Sequence, residues 1–183
     1  MEVHHRTSQA VIALVGSQSV GGGAEMHLVL RTRHVRTTCL GDSVKQIVVG
    51  TDLSPRSTAA VGLAAELAVA MGAKVHLVSA CGSPTVAMGQ EVMVIPDHAE
   101  VVDSMEADLQ RLAGDLRRRG LEVEVHACVG EAADALCVVA ETVEADLIVV
   151  GNKRMQGAAR LLGSVPNRVA HKAVCSVLIA RTA

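Results

Sequence analysis

Two glycine-containing turns, one at each end of a basic loop, are the features of this chain best suited to chemistry. Gly151 ends the apolar run LIVVG, and Gly163 with Ser164 closes the loop in front of a helix start. A glycine at a strand end lets the backbone approach a ligand, and a Gly-Ser helix start presents N–H groups, a hydroxyl and the positive end of the helix dipole. This combination is typical of a phosphate-binding loop.

Two further residues are expected at the same place. Asp52 follows the run KQIVVGT, and Ala80 ends the run AKVHLVSA. A carboxylate can accept hydrogen bonds from ribose hydroxyls, and a small residue admits a base against the strand backbone. Together with the glycine loop they predict a nucleotide site, although Asp52 before Ser54-Pro55 is also explained as turn chemistry alone.

The elements that position these residues alternate along the chain. Five strand-like runs are separated by four helical stretches, the second of which extends from about His98 to Arg119. Ser54-Pro55 is predicted to begin the first helix and Ser164 to cap the fourth. Alternation of this kind predicts an α/β fold with a five-stranded parallel sheet and four helices, whose ligands bind at the carboxyl ends of the strands. The strand-like runs are KQIVVGT, AKVHLVSA, LEVEVHACV, DLIVVG and CSVLIA.

Composition excludes several function classes. The net charge is −2, and Trp, Tyr and Phe are absent, so neither a global basic field nor aromatic platforms favour nucleic acid. No run approaches the ~20 apolar residues of a membrane helix. The five cysteines form no C-x-x-C pair, which indicates reduced thiols and a cytoplasmic location. Walker A, G-x-G-x-x-G and G-x-S-x-G motifs and zinc-ligand spacings are also absent.

The segment 1–42 differs from the rest, with four of the eight histidines and a triple glycine. We interpret it as a disordered N-terminal extension, with a signal peptide or an ordered hairpin packed on the body as alternatives. Its histidines are expected to be solvated. His126, in the third strand-like run, is interpreted as a packed or surface side chain, and no metal site is predicted.

Three stretches in order resemble the universal stress protein family: VVGTDLSPRSTAAV, DLIVVGNKRMQG…LLGSVPNRVAHKA and the closing CSVLIA. The resemblance covers about Ser43 to Ala183. It implies a Rossmann-like sandwich of the adenine nucleotide alpha-hydrolase-like type. It also implies a homodimer that pairs the last strand, Cys175–Ala180, and, in one branch, bound ATP, possibly with Mg²⁺. The final run is apolar and expected at a free sheet edge, which agrees with such a dimer.

In the ATP-binding branch the loop has a glycine, two residues, a second glycine, nine residues, and a glycine followed by Ser or Thr. Arg154 stands where the second glycine belongs, and the stretch after it is one residue short. A side chain there either keeps the backbone from the phosphates or binds them through its guanidinium. The resemblance implies this nucleotide-binding set: Asp52, Ala80, Gly151, Arg154, Gly163, Ser164 and Val165.

The favoured hypothesis is a binding module, a stress-response sensor that holds ATP or a related adenine nucleotide with little or no catalysis. The alternative is a nucleotide-free dimeric interaction protein that recruits a partner through the variable Cys81–Asp97 loop. A third hypothesis is an enzyme of the same fold, such as an ATPase. None of these predicts a nucleic-acid or membrane partner.

Overall fold

The computed structural model describes residues 44–82, 98–152 and 163–181, and the backbone of two N-terminal strands. Arg154 and most of the Cys81–Asp97 loop therefore lie outside the described residues. In chain order the elements are β1 Ser8–Ser17, β2 Glu25–Val35, β3 Gln46–Gly50, α1 Thr58–Met71, β4 Lys74–Cys81, α2 His98–Arg118, β5 Val123–Val129, α3 Ala132–Thr142, β6 Leu147–Asn152, α4 Ser164–Lys172 and β7 Ser176–Arg181.

The strands form one sheet in the order β2-β1-β7-β6-β3-β4-β5. Strands β3 to β7 are parallel to one another, so the predicted five-stranded parallel sheet with four helices is confirmed. The chain moves outward from β3 through β4 to β5 and then returns to the other side of β3 with β6. The strand order therefore reverses between β3 and β6, which is where open α/β sheets bind ligands.

Helices cover both faces of this sheet. In β3 to β6, odd-numbered residues such as Val49 pack with α1 and α2, whereas even-numbered residues such as Val48 pack with α3 and α4. In β7 the two faces are exchanged, because Leu178 packs with α1 and α2. Residues 47–49 are fully buried. Burial on both faces explains why the central strands are continuous aliphatic runs, whereas β5, at the sheet edge, alternates at its start between buried Val123 and exposed Glu124.

The N-terminal segment contributes two strands to the sheet. Strands β1 and β2 form an antiparallel hairpin, and β1 pairs in parallel with β7 at Val11↔Val177 and Ile12↔Leu178. This pairing is the arrangement that the hairpin alternative describes. Strand β7 consequently has neighbours on both sides, so the free edge from which the homodimer was inferred is occupied by β1. The physical reason is that an apolar edge strand accepts any strand that can satisfy its backbone groups, including one from its own chain.

The start of α1 also differs from the prediction. The helix begins at Thr58, after a turn in which the Ser57 N–H donates to the Ser54 carbonyl at 3.0 Å. Ser54 does not cap it, because its N–H and hydroxyl both donate to Asp52 Oδ1, at 3.2 and 2.6 Å. Helix α4 begins at Ser164 with Gly163 in the capping position, one residue earlier than predicted.

Within the part of the chain that the structure describes, no helix combines the length and apolar character needed to span a membrane.

Candidate functional site

A crevice of about 310 Å³ opens at the carboxyl ends of β3 and β6, where the strand order reverses. Six of the seven predicted site residues line it; the seventh, Arg154, lies outside the described residues. The lining residues are Gly50, Thr51, Asp52, Ser57, Val78, Ala80, Ala132, Leu136, Val150, Gly151, Asn152, Gly163, Ser164, Val165 and Pro166. The structure thus brings together residues that are more than 100 positions apart in sequence.

Asp52 is exposed at the rim of the crevice and belongs to a hydrogen-bonded turn. The hydroxyls of Thr51 and Ser57 lie 2.8 Å apart, and Thr51 Oγ1 also accepts the Leu53 N–H at 3.0 Å. Leu53 has a φ of 58°, a left-handed conformation that is uncommon for a residue with a side chain. Because both hydroxyls are buried and bonded, the turn holds the Asp52 backbone in one place.

The opposite wall is the N-terminus of α4. Asn152, with no exposed surface, accepts the Gly163 N–H on its Oδ1 at 3.0 Å. A Cβ on Gly163 would lie 3.3 Å from that oxygen and 3.5 Å from Pro166 Cδ, so the position has little room for a side chain. Gly163, in the capping position, has no side chain of its own that could cap this helix. The first N–H groups of α4, at Ser164 and Val165, are therefore suited to an anion.

Apolar side chains form the floor. Val78 and Ala80 on β4, Leu136 on α3 and Val150 on β6 contact the crevice. A Cβ at Gly50 would lie 3.0 Å from Leu136 Cδ1, so a larger residue there would require the Leu136 side chain to shift. The floor is aliphatic, which suits the apolar faces of a heterocycle.

Ion pairs fasten α3 to α4 beside the crevice. Arg168 bonds Glu131 and, at 3.1 Å, Asp134, while Lys172 Nζ lies 2.6 Å from Asp134 Oδ1. The hydrogen bond from Lys172 holds the pKa of the Asp134 carboxyl below its usual value. These contacts keep the N-terminal ends of both helices, Ala132 and Ser164, at the same opening.

Chemically, the described lining contains one ionisable side chain, Asp52, at one rim and a helix N-terminus at the other. The arrangement provides an acceptor for hydroxyl groups, an apolar floor and donors for an anion. Among the described lining residues no second carboxylate, histidine, cysteine or lysine stands near Asp52 to form a catalytic pair.

Sequence reasoning missed three polar residues, Thr51, Ser57 and Asn152. All three are buried, and two of them directly follow a glycine that ends, or nearly ends, an aliphatic strand. A polar residue directly after the glycine of an aliphatic strand is the sequence signal that could have identified Thr51 and Asn152 as site residues. Ser57 offered no comparable signal, because a serine before a helix is common.

Proteins of known sequence resemble this chain over most of their length. Universal stress protein A homolog 1 of Coxiella burnetii is 32% identical over 136 residues, which are 73% of this chain and 94% of that protein. A universal stress protein of Mycobacterium tuberculosis is 37% identical over 145 residues, 75% of this chain and 97% of that protein.

Solved structures show the same fold. A universal stress protein in complex with cAMP is 33% identical, covers 78% of this chain and 100% of its own, and superposes with a TM-score of 0.59. A universal stress protein from Archaeoglobus fulgidus in complex with dAMP is 28% identical and has a TM-score of 0.53. The match covers 74% of this chain and 96% of that chain. Their Rossmann-like α/β architecture agrees with the sheet described above.

The model of the universal stress protein family matches residues 43–181, which include every described lining residue of the crevice. This chain belongs to the universal stress protein family.

Proposed function

We propose that this chain binds ATP or a related adenine nucleotide in the crevice between β3 and β6 and acts as a sensor or regulatory module in a stress response. The observation that carries the proposal is the position of Asp52 opposite the N-terminus of α4 across an apolar floor. The cavity, at about 310 Å³, is at the lower end of the range of small-molecule sites.

Each part of the nucleotide has a matching part of the site. The base lies on the aliphatic floor of Val78, Ala80 and Leu136, and the ribose hydroxyls donate to Asp52. The phosphates accept the N–H groups at the start of α4, where the helix dipole favours negative charge. Gly163 leaves room for the Asn152 amide that holds the start of α4 in place, because a Cβ there would lie 3.3 Å from Asn152 Oδ1.

The ligands of related proteins support the adenine class. Two universal stress proteins of known structure hold cAMP and dAMP, both of which are adenine nucleotides with one phosphate. We favour ATP because the loop between Gly151 and Gly163 carries Lys153, Arg154 and Arg160, whose charges suit a longer phosphate chain. Mg²⁺ would be held mainly by the phosphates, since Asp52 is the single carboxylate among the described lining residues.

The proposal includes little or no catalysis. Phosphate transfer to water needs a group that orients or deprotonates the water beside the terminal phosphate. Asp52 lies at the rim assigned to the ribose, and its Oδ1 already accepts two hydrogen bonds from Ser54. We therefore expect turnover far below the roughly 1 s⁻¹ of slow enzymes. A cytoplasmic location stays a prediction.

Titration calorimetry of the full chain with ATP and Mg²⁺, cAMP, AMP and GTP tests the proposal. We expect Asp52→Ala and Ser164→Ala each to weaken binding of the preferred adenine nucleotide about tenfold, the loss of roughly one charge-assisted hydrogen bond. Asp103→Ala and Ser104→Ala, on the exposed side of α2, are matched controls that should leave affinity unchanged.

Absence of binding by any adenine nucleotide at millimolar concentration would overturn the proposal and favour the nucleotide-free interaction protein. Equal affinity for GTP and ATP would remove the adenine assignment. ADP release at more than about one turnover per second would contradict the binding-module role.

A further inference from the structure

A second cluster of chemically capable side chains lies at the other end of β4. His76 on β4 faces Glu124 and His126 on β5, on the face of the sheet that packs with α3 and α4. The parallel register pairs His76 with Glu124 and Val78 with His126. Since alternate residues of a strand share a face, one side chain of β4 meets two of β5.

This cluster is separate from the crevice. His76 precedes the crevice residue Ala80 by four positions on the same strand, which corresponds to about 13 Å along the strand. None of the three side chains lines the crevice.

Three ligand atoms converge in the cluster. His76 Nδ1 lies 3.1 Å from His126 Nε2 and 3.4 Å from Glu124 Oε2, and one ligand atom from each of the three residues lies within 4.8 Å of the other two. Two ligands of a tetrahedral Zn²⁺, each bound at about 2.0–2.1 Å, are about 3.3 Å apart. The two measured distances bracket this value.

We propose that His76, Glu124 and His126 form a binding site for a divalent transition metal, with Zn²⁺ as the expected ion. Two imidazoles and one carboxylate are a ligand set that zinc accepts with three protein ligands and an open fourth position. The inference revises the sequence-based expectation of no metal site, which treated His126 in isolation because its partners are 2 and 50 residues away.

The hydrogen bond of Gln46 orients the buried histidine for this role. Gln46 Oε1 lies 2.8 Å from His76 Nε2, and an amide oxygen can only accept, so Nε2 carries the proton. In the neutral ring Nδ1 then has a lone pair directed into the cluster. A second partner that holds the remote nitrogen of a metal-binding histidine is a common feature of protein metal sites.

The local charge also suits a dication. Lys74 Nζ contacts Glu124 Oε1 at 2.6 Å and Glu122 at 3.0 Å, which leaves two carboxylates for one ammonium group. Glu124 can thus keep Lys74 on Oε1 while Oε2 binds the metal. His76 is 2% exposed and Glu124 is exposed, so an ion enters from the side of Glu124, where water completes its coordination.

The test is Zn²⁺ titration of the full reduced chain, with the number of bound equivalents measured by competition with a chromophoric chelator. Cysteines and the N-terminal histidines are also potential zinc ligands, so the site is identified by comparing the number of bound zinc equivalents between variants. We expect Glu124→Gln and His126→Gln each to reduce the affinity for one of the bound zinc ions at least about 100-fold. Glu122→Gln is the matched control, because it removes a carboxylate that contacts Lys74 without touching either histidine.

Gln46 provides a second, independent measurement. Gln46→Ala should reduce the affinity for the same zinc ion about 10- to 100-fold. Gln46→Glu should restore this affinity, because a carboxylate also accepts the His76 N–H. Circular dichroism of each variant confirms folding. Equal zinc binding by the wild-type chain and by folded Glu124→Gln and His126→Gln variants would overturn the proposal. Loss of the same bound zinc ion in the Glu122→Gln control would also overturn the proposal.

Discussion

Asn152 Oδ1 accepts the Gly163 N–H at 3.0 Å, which joins the end of β6 to the start of α4. The two residues are eleven positions apart, and the hydrogen bond closes the loop between them. Because Gly163 is the capping residue of the helix whose first residues line the crevice, the buried amide fixes where an anion would bind. Asn152 is thus a positioning residue for the proposed site.

Asn152→Ala should damage both stability and binding. It leaves the Gly163 N–H without its acceptor, which should lower the free energy of unfolding by about 1–3 kcal/mol. Because the start of α4 loses its anchor, nucleotide affinity should fall as well. Urea unfolding and calorimetry measure the two effects. Asn167→Ala, at an exposed position of α4, should change stability by less than about 0.5 kcal/mol; an equal loss there would contradict the positioning role.

Gly163→Ala should reduce nucleotide affinity with only a small cost in stability. The Gly163 φ of −62° suits any residue, so the effect comes from the new Cβ, 3.3 Å from Asn152 Oδ1, and not from backbone strain. Gly62→Ala is the contrasting variant. Gly62 lies inside α1, and a Cβ there would have no neighbouring atom within 4 Å, so alanine should stabilise the helix by roughly 0.5–1 kcal/mol and leave binding unchanged. Unaltered affinity in Gly163→Ala would contradict the view that the contact of Asn152 with Gly163 positions the binding site.

The ion pairs between α3 and α4 should make stability depend on pH in the acid range. The folded-state pKa of Asp134 is lowered by Lys172 and Arg168, so its stabilising effect is complete above the unfolded pKa of about 3.9 and is lost as pH falls through the folded value. Asp134→Asn should therefore lower the melting temperature at pH 7 and low salt, with the difference vanishing in strong acid. Asp103→Asn is the control, and a difference that persists in strong acid would contradict this origin.

The N-terminal hairpin should control self-association. The homodimer expected through Cys175–Ala180 is untested, and β1 occupies the edge of β7 that such a dimer would use, so its formation should depend on whether β1 is present. We expect sedimentation of residues 43–183 to show a dimer at micromolar concentration and the full chain to remain monomeric. The reason is that removal of β1 exposes unpaired backbone groups on an apolar strand. Identical self-association of the full chain and of residues 43–183 would contradict the proposal that β1 blocks dimer formation at β7.

Much of the architecture could be predicted from the local pattern of apolar and polar residues. Continuous aliphatic runs such as those ending in Gly50 and Gly151 identified buried parallel strands, and the alternation with helices implied their crossovers. Asp52, Ala80 and the Gly163–Val165 turn were recognisable because parallel strands bring their carboxyl ends to one edge. The start of α1 was misplaced because the competition between capping and the Asp52 turn for Ser54 is not visible in sequence.

The sequence by itself determined the fold class, the edge of the sheet at which the crevice lies and most of the residues that meet there, because strand and helix periodicities are local properties of the chain. Tertiary structure alone decided three other matters: the bond from Asn152 to Gly163, the meeting of His76 with Glu124 and His126, and the pairing of β1 with β7. Each of these depends on which strands become neighbours and in what register, and that choice is made by packing across the whole sheet.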